Sequence, residues 1–591
     1  MQSRTRTLAG MAVGVVAAVM ACGTAHAQTD VAMMEIEGSL AEQPSPMAWL
    51  EASGSFGTLA DVVAALHEVA EDSQTDALVI RLKDAALTTS QIQEIGAALA
   101  EIRAAGKRVH VFAENYGNGE LMLGSYADEA ILQAGGMVSL SGLYMQEMFL
   151  KDALNWIGIK ADFVQIGDYK GANEMYMNSG PSEPWDQNIN QLLDSIYDGM
   201  RSTLKDNLSL SDAQLDAAME AGWLSGGEDA IESGLIDAVV DLPMLTEHLE
   251  EVYGDEIAWS DVEPSTSTAL DPANPFAMLR MLTTPPDHSP KGETIAVLHI
   301  VGTIIDGDST SGGLLGGESV GSRTIRRALE DILAEDLIKG VVVRIDSPGG
   351  SAIASEVMWQ GMQRVAAEKP VWVSIGSMAA SGGYYTAVGG EKIYANPSSI
   401  VGSIGVVGGK FSMGELYEKL HVNIVSRSRG PRSGLFSTVT PWNESDRAFV
   451  RAKMTETYDL FVSRVKAGRP GIDISSTAEG RLFTGDRAIG LGMIDELGSL
   501  DDAVTDLAAS LDMTRYDVMN YPGPKGFDEI IGEMLGGFMH SPVRSELAIA
   551  SAVRELLGDR AWRQVSNAGR ALLNFRDEPV QAVMPQVMLF D

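Results

Sequence analysis

The sequence predicts an α/β protein made of two tandem copies of one domain, each a largely parallel sheet flanked by helices. Three observations carry that expectation. "KRVHVFAENYGNGELMLGSYADEAILQA" (107–134) aligns without a gap with "KPVWVSIGSMAASGGYYTAVGGEKIYAN" (369–396), 262 residues further on, and "SGGEDAIESGLID" (225–237) returns as "FTGDRAIGLGMID" (483–495). A repeat of so long a period means a duplicated domain rather than a solenoid. Within each copy, hydrophobic runs such as "ALVIRL" (77–82) and "VVVRID" (341–346) alternate with amphipathic helical stretches, the pattern of a sheet covered on both faces. Between the copies lies 260–293, rich in Pro, Ser and Thr and without periodicity, as a linker should be.

In chain order, residues 1–27 read as an export segment. Arg4 and Arg6 precede the apolar "LAGMAVGVVAAVM" (8–20), and "AHA" (25–27) is a small-residue cleavage site. Three fates stay open: cleavage, lipidation of Cys22 in "VMAC" (19–22), or retention as a membrane anchor. Cys22 is the single cysteine, so intrachain disulfides are excluded. Residues 28–259 form the first copy, whose helix "TSQIQEIGAALAEIRAAG" (89–106) sets Ile92, Ile95, Leu99 and Ile102 on one face. In the linker 260–293, "FAMLRML" (276–282) reads as a short docked helix. Residues 294–510 form the second copy, whose helix "SAIASEVMWQGMQRVAAE" (351–368) sets Ile353, Val357 and Val365 on one face. Residues 511–591 are expected to be a mostly helical C-terminal tail.

The copies differ where chemistry would sit. "MAASGGYY" (378–385) sets Ser381 among small residues on a tight turn, whereas the aligned position of the first copy is Gly119. "DSPGGS" (346–351) follows a buried strand and enters a helix, leaving backbone N–H groups for an oxyanion; its counterpart is "KDAALT" (83–88). A serine hydroxyl needs a base, and the closest histidine in sequence is His421. The first copy offers Lys170 in "QIGDYKGANEMY" (165–176), where the second has Arg432. A desolvated lysine can act as a base and an arginine cannot. Lys151 and Lys160 remain alternatives on this reasoning, and a helix N-cap is the alternative role for Ser381.

The segments "AENYGNGELMLGSYAD", "IGDYKGANE", "IDSPGGS", "MAASGGYY" and "VGSIGVVGG" together resemble signal peptide peptidase A of the longer, duplicated bacterial type. The resemblance implies two tandem domains of the Clp protease/crotonase fold. It also implies a Ser-Lys serine peptidase that degrades cleaved signal peptides and other apolar peptides. Ser381 would be the nucleophile and Lys170 the general base. Oxyanion donors would fall at Gly349 or Gly350 and at Gly382, and Ser403 would hold the lysine amine. The family further implies a homotetramer in the periplasm, attached to the inner membrane through the N-terminus. No cofactor or metal is required.

The net charge of −38 reads as a solvated, self-repelling surface and argues against nucleic acid as a partner. Two other classes compete with the peptidase. One is a crotonase-like acyl-CoA enzyme, disfavoured by export and by the lack of a basic cluster for the cofactor's phosphates. The other is a catalytically idle membrane-associated scaffold, disfavoured because both Ser381 and Lys170 are present.

Overall fold

The computed structural model describes residues 28–45, 56–225, 227–264, 288–310, 318–524, 580–583 and 589–590. The expected export segment 1–27, with Cys22, and the docked helix expected at 276–282 lie outside the described residues. So does most of the linker.

In the first copy, six strands form one parallel sheet in the order Glu256–Asp261, Gln28–Glu37, Ala77–Lys83, Arg108–Ala113, Glu129–Gln133, Ala238–Val240. Side chains alternate across a strand. Leu78, Ile80 and Leu82 therefore join one core with helices Leu59–Glu71 and Thr89–Ala104, while Ala77 and Val79 join another with helix Leu245–Tyr253. Helix Thr89–Ala104 opens on a capping box in which Thr88 accepts from the Gln91 N–H and Gln91 accepts from the Thr88 N–H. Its residues Ile92, Ile95, Leu99 and Ile102 are buried.

The second copy repeats this plan. Strands Asp517–Tyr521, Thr294–Val301, Ile338–Ser347 and Val371–Ala380 lie parallel in that order. The sheet then divides: one branch continues through Ile393–Ala395 and Glu496–Leu497, the other through Ile400–Gly402 and the antiparallel Leu482–Thr484. In helix Ala352–Ala366 the buried face is Ala354, Met358, Met362 and Val365. Ile353, expected on that face, is 73% exposed. Val365, expected there too, is buried, and Val357 is half-buried.

The expected mostly helical tail, 511–591, falls for the most part on residues outside those described; the described stretches beyond 510 include three strands. Asp517–Tyr521 is the edge strand of the second sheet, as Glu256–Asp261 is of the first. Val580–Val583 and Leu589–Phe590 are also strands, and residues 525–579 lie outside the described residues. A strand partner hundreds of residues away leaves no local periodicity to read.

A third sheet joins the copies. Its order is Ser319–Gly321, Thr303–Ile305, Gly349–Ser351, Val580–Val583, Val406–Ser412, Lys160–Ile166. The last strand comes from the first copy and runs antiparallel to Val406–Ser412 over seven residue pairs. The first turn of helix Thr89–Ala104 also docks on the second copy. There Arg344, fully buried, reaches Glu94 Oε1 at 2.7 Å, Glu42 Oε2 at 2.8 Å and Ser374 Oγ at 2.9 Å. Asn396 donates to Glu94 (2.7 Å) and Gln91 to Glu42 (2.9 Å). Burial raises both carboxyls; for Glu42 the guanidinium outweighs burial and holds the pKa below the usual range, while for Glu94 burial prevails.

Removing one member of a buried ion network leaves the others uncompensated. Arg344→Met should lower stability by about 3–5 kcal/mol, read as a fall in the denaturant midpoint. Adding Glu42→Gln and Glu94→Gln should restore most of it.

Candidate active site

Strand Val371–Ala380 ends at Ser381, and helix Gly382–Ala387 begins immediately after it. Ser381 makes the turn with φ 55° and ψ −111°, a conformation that costs a residue with a Cβ on the order of 1–3 kcal/mol. Backbone bonds hold it there: its N–H donates to the Gly402 carbonyl (2.7 Å), and its carbonyl accepts from the Tyr385 N–H (2.8 Å). The side chain makes no cap to the helix. Instead, Ser381 Oγ lies 2.7 Å from Lys170 Nζ. The aligned Gly119 sits in helix Asn118–Gly124 and presents no hydroxyl.

Lys170 follows strand Lys160–Ile166, which the third sheet has carried into the second copy. Its side chain is fully buried. Besides Ser381, Nζ lies 2.9 Å from Ser403 Oγ and 3.0 Å from the Ser403 carbonyl. All three partners are neutral oxygens, and burial holds the amine well below the ordinary lysine value of 10.5. A neutral amine has two N–H donors and one lone pair. Two donors to Ser403 and the lone pair toward the Ser381 hydroxyl account for all three contacts. Lys160 is at the surface, paired with Glu415, and Lys151 opens helix Lys151–Ile157; Lys170 is the lysine that meets Ser381.

Two glycines of the second copy make room for Lys170. A Cβ on Gly405 would press on Lys170 Cδ at 3.1 Å, and one on Gly480, which has φ 89°, would come within 2.5 Å of the Lys170 nitrogen. Nothing in the local sequence marks Gly480; Gly405 sits inside "VGSIGVVGG", where the run of glycines was the available signal. Ser403, at φ 53°, is anchored by its N–H donating to the Arg481 carbonyl (2.6 Å).

In the glycine turn, the Gly349 N–H donates to Ser347 Oγ (3.1 Å), and that hydroxyl donates to the Gly302 carbonyl (2.7 Å). Gly350 packs so closely on Ile304 that a Cβ would collide with its carbonyl oxygen. Gly382 is the first residue of its helix, where a backbone N–H has no intrahelical acceptor. Asp346 accepts from the Met378 N–H (3.1 Å) beneath the site. Burial, with Glu42 nearby, raises its pKa to about 7. Among the described residues no group of three or more His, Cys, Asp and Glu is placed to hold a metal ion.

The profile of peptidase family S49 matches residues 101–254 and 363–514, one stretch in each copy. The chain belongs to peptidase family S49. It is similar to Protease 4 of Salmonella typhi, with 28% identity over 85% of this chain and 82% of that protein. It is also similar to Protease 4 of Haemophilus influenzae, at 30% identity over 75% of this chain and 71% of that one. The chloroplastic serine protease SPPA of Arabidopsis thaliana is 27% identical over 70% of this chain and 60% of its own length. This S49 peptidase is thus of the signal peptide peptidase A type, with two tandem Clp protease/crotonase-like domains.

Two consequences of the geometry are measurable. Gly480→Ala should push Lys170 off the hydroxyl and lower peptidase activity by about tenfold or more, since small misplacements of reacting groups are costly. Asp346 has a raised pKa, so its contribution to stability is complete below the free-aspartate value and is lost as pH rises through about 7. Asp346→Asn should therefore stabilise the protein more at about pH 8 than at about pH 5, read as the difference in melting temperature from the wild type.

Proposed function

We propose that this S49 peptidase is a Ser-Lys endopeptidase that degrades cleaved signal peptides and other apolar peptides. The observation that carries the proposal is the buried Lys170 amine, 2.7 Å from Ser381 Oγ and bonded only to neutral oxygens. Ser381 Oγ attacks the scissile carbonyl as Lys170 Nζ takes its proton. The tetrahedral oxyanion is met by backbone N–H groups at the start of the helix and in the glycine turn. Because the Gly349 N–H already donates to Ser347 Oγ, the donors proposed are those of Gly382 and Gly350. Lys170 passes its proton to the departing amine, leaving an acyl-enzyme on Ser381. Water, deprotonated by the same amine, then releases the carboxylate product and regenerates the hydroxyl. Ser403 positions the amine through both of its oxygens.

Assembly as a homotetramer in the periplasm, attached to the inner membrane through residues 1–27, belongs to the same proposal. Among the described residues no helix is long and apolar enough to cross a membrane. Support for self-association comes from the duplication. The stretch 422–428 corresponds to strand Lys160–Ile166 at the 262-residue offset, yet Val422, Ile424 and Val425 are exposed. A second copy of the chain could cover this apolar stretch.

The test is hydrolysis of a fluorogenic apolar peptide of signal-peptide composition by the full chain. Ser381→Ala should abolish it, and Lys170→Ala should reduce kcat/KM by roughly 10²–10⁴-fold, the usual contribution of a general base. Since the working form of Lys170 is neutral and its pKa is depressed, kcat/KM should rise with pH and reach its plateau well below pH 10.5. Retention of activity in Lys170→Ala would overturn the dyad.

A further inference from the structure

Residues 478–481 of the second copy lie against the first-copy loop that carries Lys170. The Tyr169 N–H donates to the Glu479 carbonyl (2.8 Å), and the Asp168 N–H donates to Glu479 Oε2 (3.3 Å). The Arg481 guanidinium stacks over the Tyr169 ring, 4.0 Å from its centre. Between Glu479 and Arg481, Gly480 is so close that a Cβ on it would fall 2.6 Å from the Lys170 Cα. The same four residues hold Ser403. The Arg481 carbonyl accepts from the Ser403 N–H (2.6 Å), the Gly480 N–H donates to the Ile404 carbonyl (2.8 Å), and Ala478 bridges to Ile404. Glu479 itself has φ 64°, a conformation that persists where the surroundings over-determine it.

The copies differ here as they differ at Ser381. In the repeat that sets 225–237 against 483–495, Glu479 and Arg481 correspond to Ala221 and Trp223. Only the glycine between them is common, Gly480 at φ 89° and Gly222 at φ 65°. Trp223 is 65% exposed, whereas Arg481 is half-buried over Tyr169.

We propose that residues 478–481 form a clasp that positions the dyad: Glu479 and Arg481 fix the Lys170 loop and Ser403 as one unit and shut water from Lys170 Nζ. Glu479, Arg481 and Tyr169 are then positioning residues. The effect on hydrolysis rests on reading Lys170 as the general base; the effect on the amine does not. Charged groups on the surrounding elements are Asp168, Glu174 and Asp186 of the first copy and Asp346, Glu479 and Arg481 of the second. Nζ bonds to none of them, only to the neutral oxygens of Ser381 and Ser403. Exclusion of water is therefore what disfavours the ammonium form, and it lapses when the clasp opens. A guanidinium stacked on a ring suits the task, being planar and weakly hydrated.

The test measures kcat/KM for the fluorogenic apolar peptide against pH in the full chain. Tyr169→Ala and Arg481→Ala should each admit water to the amine and move the acid limb of the profile up by about one pH unit. On that limb the loss is about tenfold, and on the alkaline plateau activity returns to near the wild-type value. Tyr169→Phe, which keeps the ring beneath the guanidinium, should restore the limb. Arg481→Ala leaves the main-chain bonds of the clasp in place and decides the matter if Tyr169→Ala does not fold. A loss of equal size at every pH, or an unmoved limb, overturns the proposal. The amine is also read without catalysis on the Ser381→Ala background, as the pH at which Lys170 becomes half-reactive toward acetic anhydride, followed by mass spectrometry. Adding Arg481→Ala should raise that midpoint by about one unit; an unchanged midpoint overturns the clasp. A raised midpoint with no hydrolysis in any form leaves the clasp standing and removes the peptidase reading.

Discussion

The site depends on one constraint: an amine must be buried with no negative charge beside it. Lys170 meets that condition only because two copies of a domain close around it. Its backbone arrives on a first-copy strand, while its three bonded oxygens and the two glycines that flank it belong to the second copy. Burial without a counter-charge disfavours the ammonium form, so the same packing that positions the lysine also makes it basic in the useful sense. Neither copy alone could do both.

The joint between the copies is correspondingly polar and elaborate. Arg344 of the second copy is shared between Glu42 and Glu94 of the first, with Ser374, Asn396 and Gln91 satisfying the remaining groups. Such a network is weak evidence for stability, because desolvation consumes much of the Coulombic attraction. It demands particular geometry, however, and that geometry sets the first turn of helix Thr89–Ala104 against the strand that ends at Ser381. An apolar cluster adds to the joint beside Ser381. Trp185, Ile189 and Leu192 of the first copy pack with Ala380 and Leu482 of the second. The copy without the serine supplies structural support and Lys170.

The backbone around the site is held in costly conformations. Ser381 and Ser403 both have positive φ without being glycine, and each is held by a backbone N–H bond to a neighbouring carbonyl. Non-glycine residues persist in such regions where the surroundings over-determine them. Here the two hydroxyls so held are the ones that touch Lys170 Nζ. Strain and contact coincide at the same two residues.

What is local or repeated could be read from the order of residues alone. The duplication, the alternation of apolar strands with helices, the buried face of Ile92, Ile95, Leu99 and Ile102, and the divergence of Ser381 from Gly119 are all patterns of spacing. Lys170 was legible as a candidate from the missing lysine in the second copy, and the family motif was needed to separate it from Lys151 and Lys160. The tertiary structure decided what depends on partners far away in the chain. That includes the contact between Lys170 and Ser381, 211 positions apart, the glycine at 480 and the ion network of Arg344. It also includes the exposure of Ile353 and the pairing of strand Asp517–Tyr521 with the second sheet. Strand pairing satisfies backbone groups and buried charges satisfy one another across any sequence distance, so these contacts leave no period in the sequence to read.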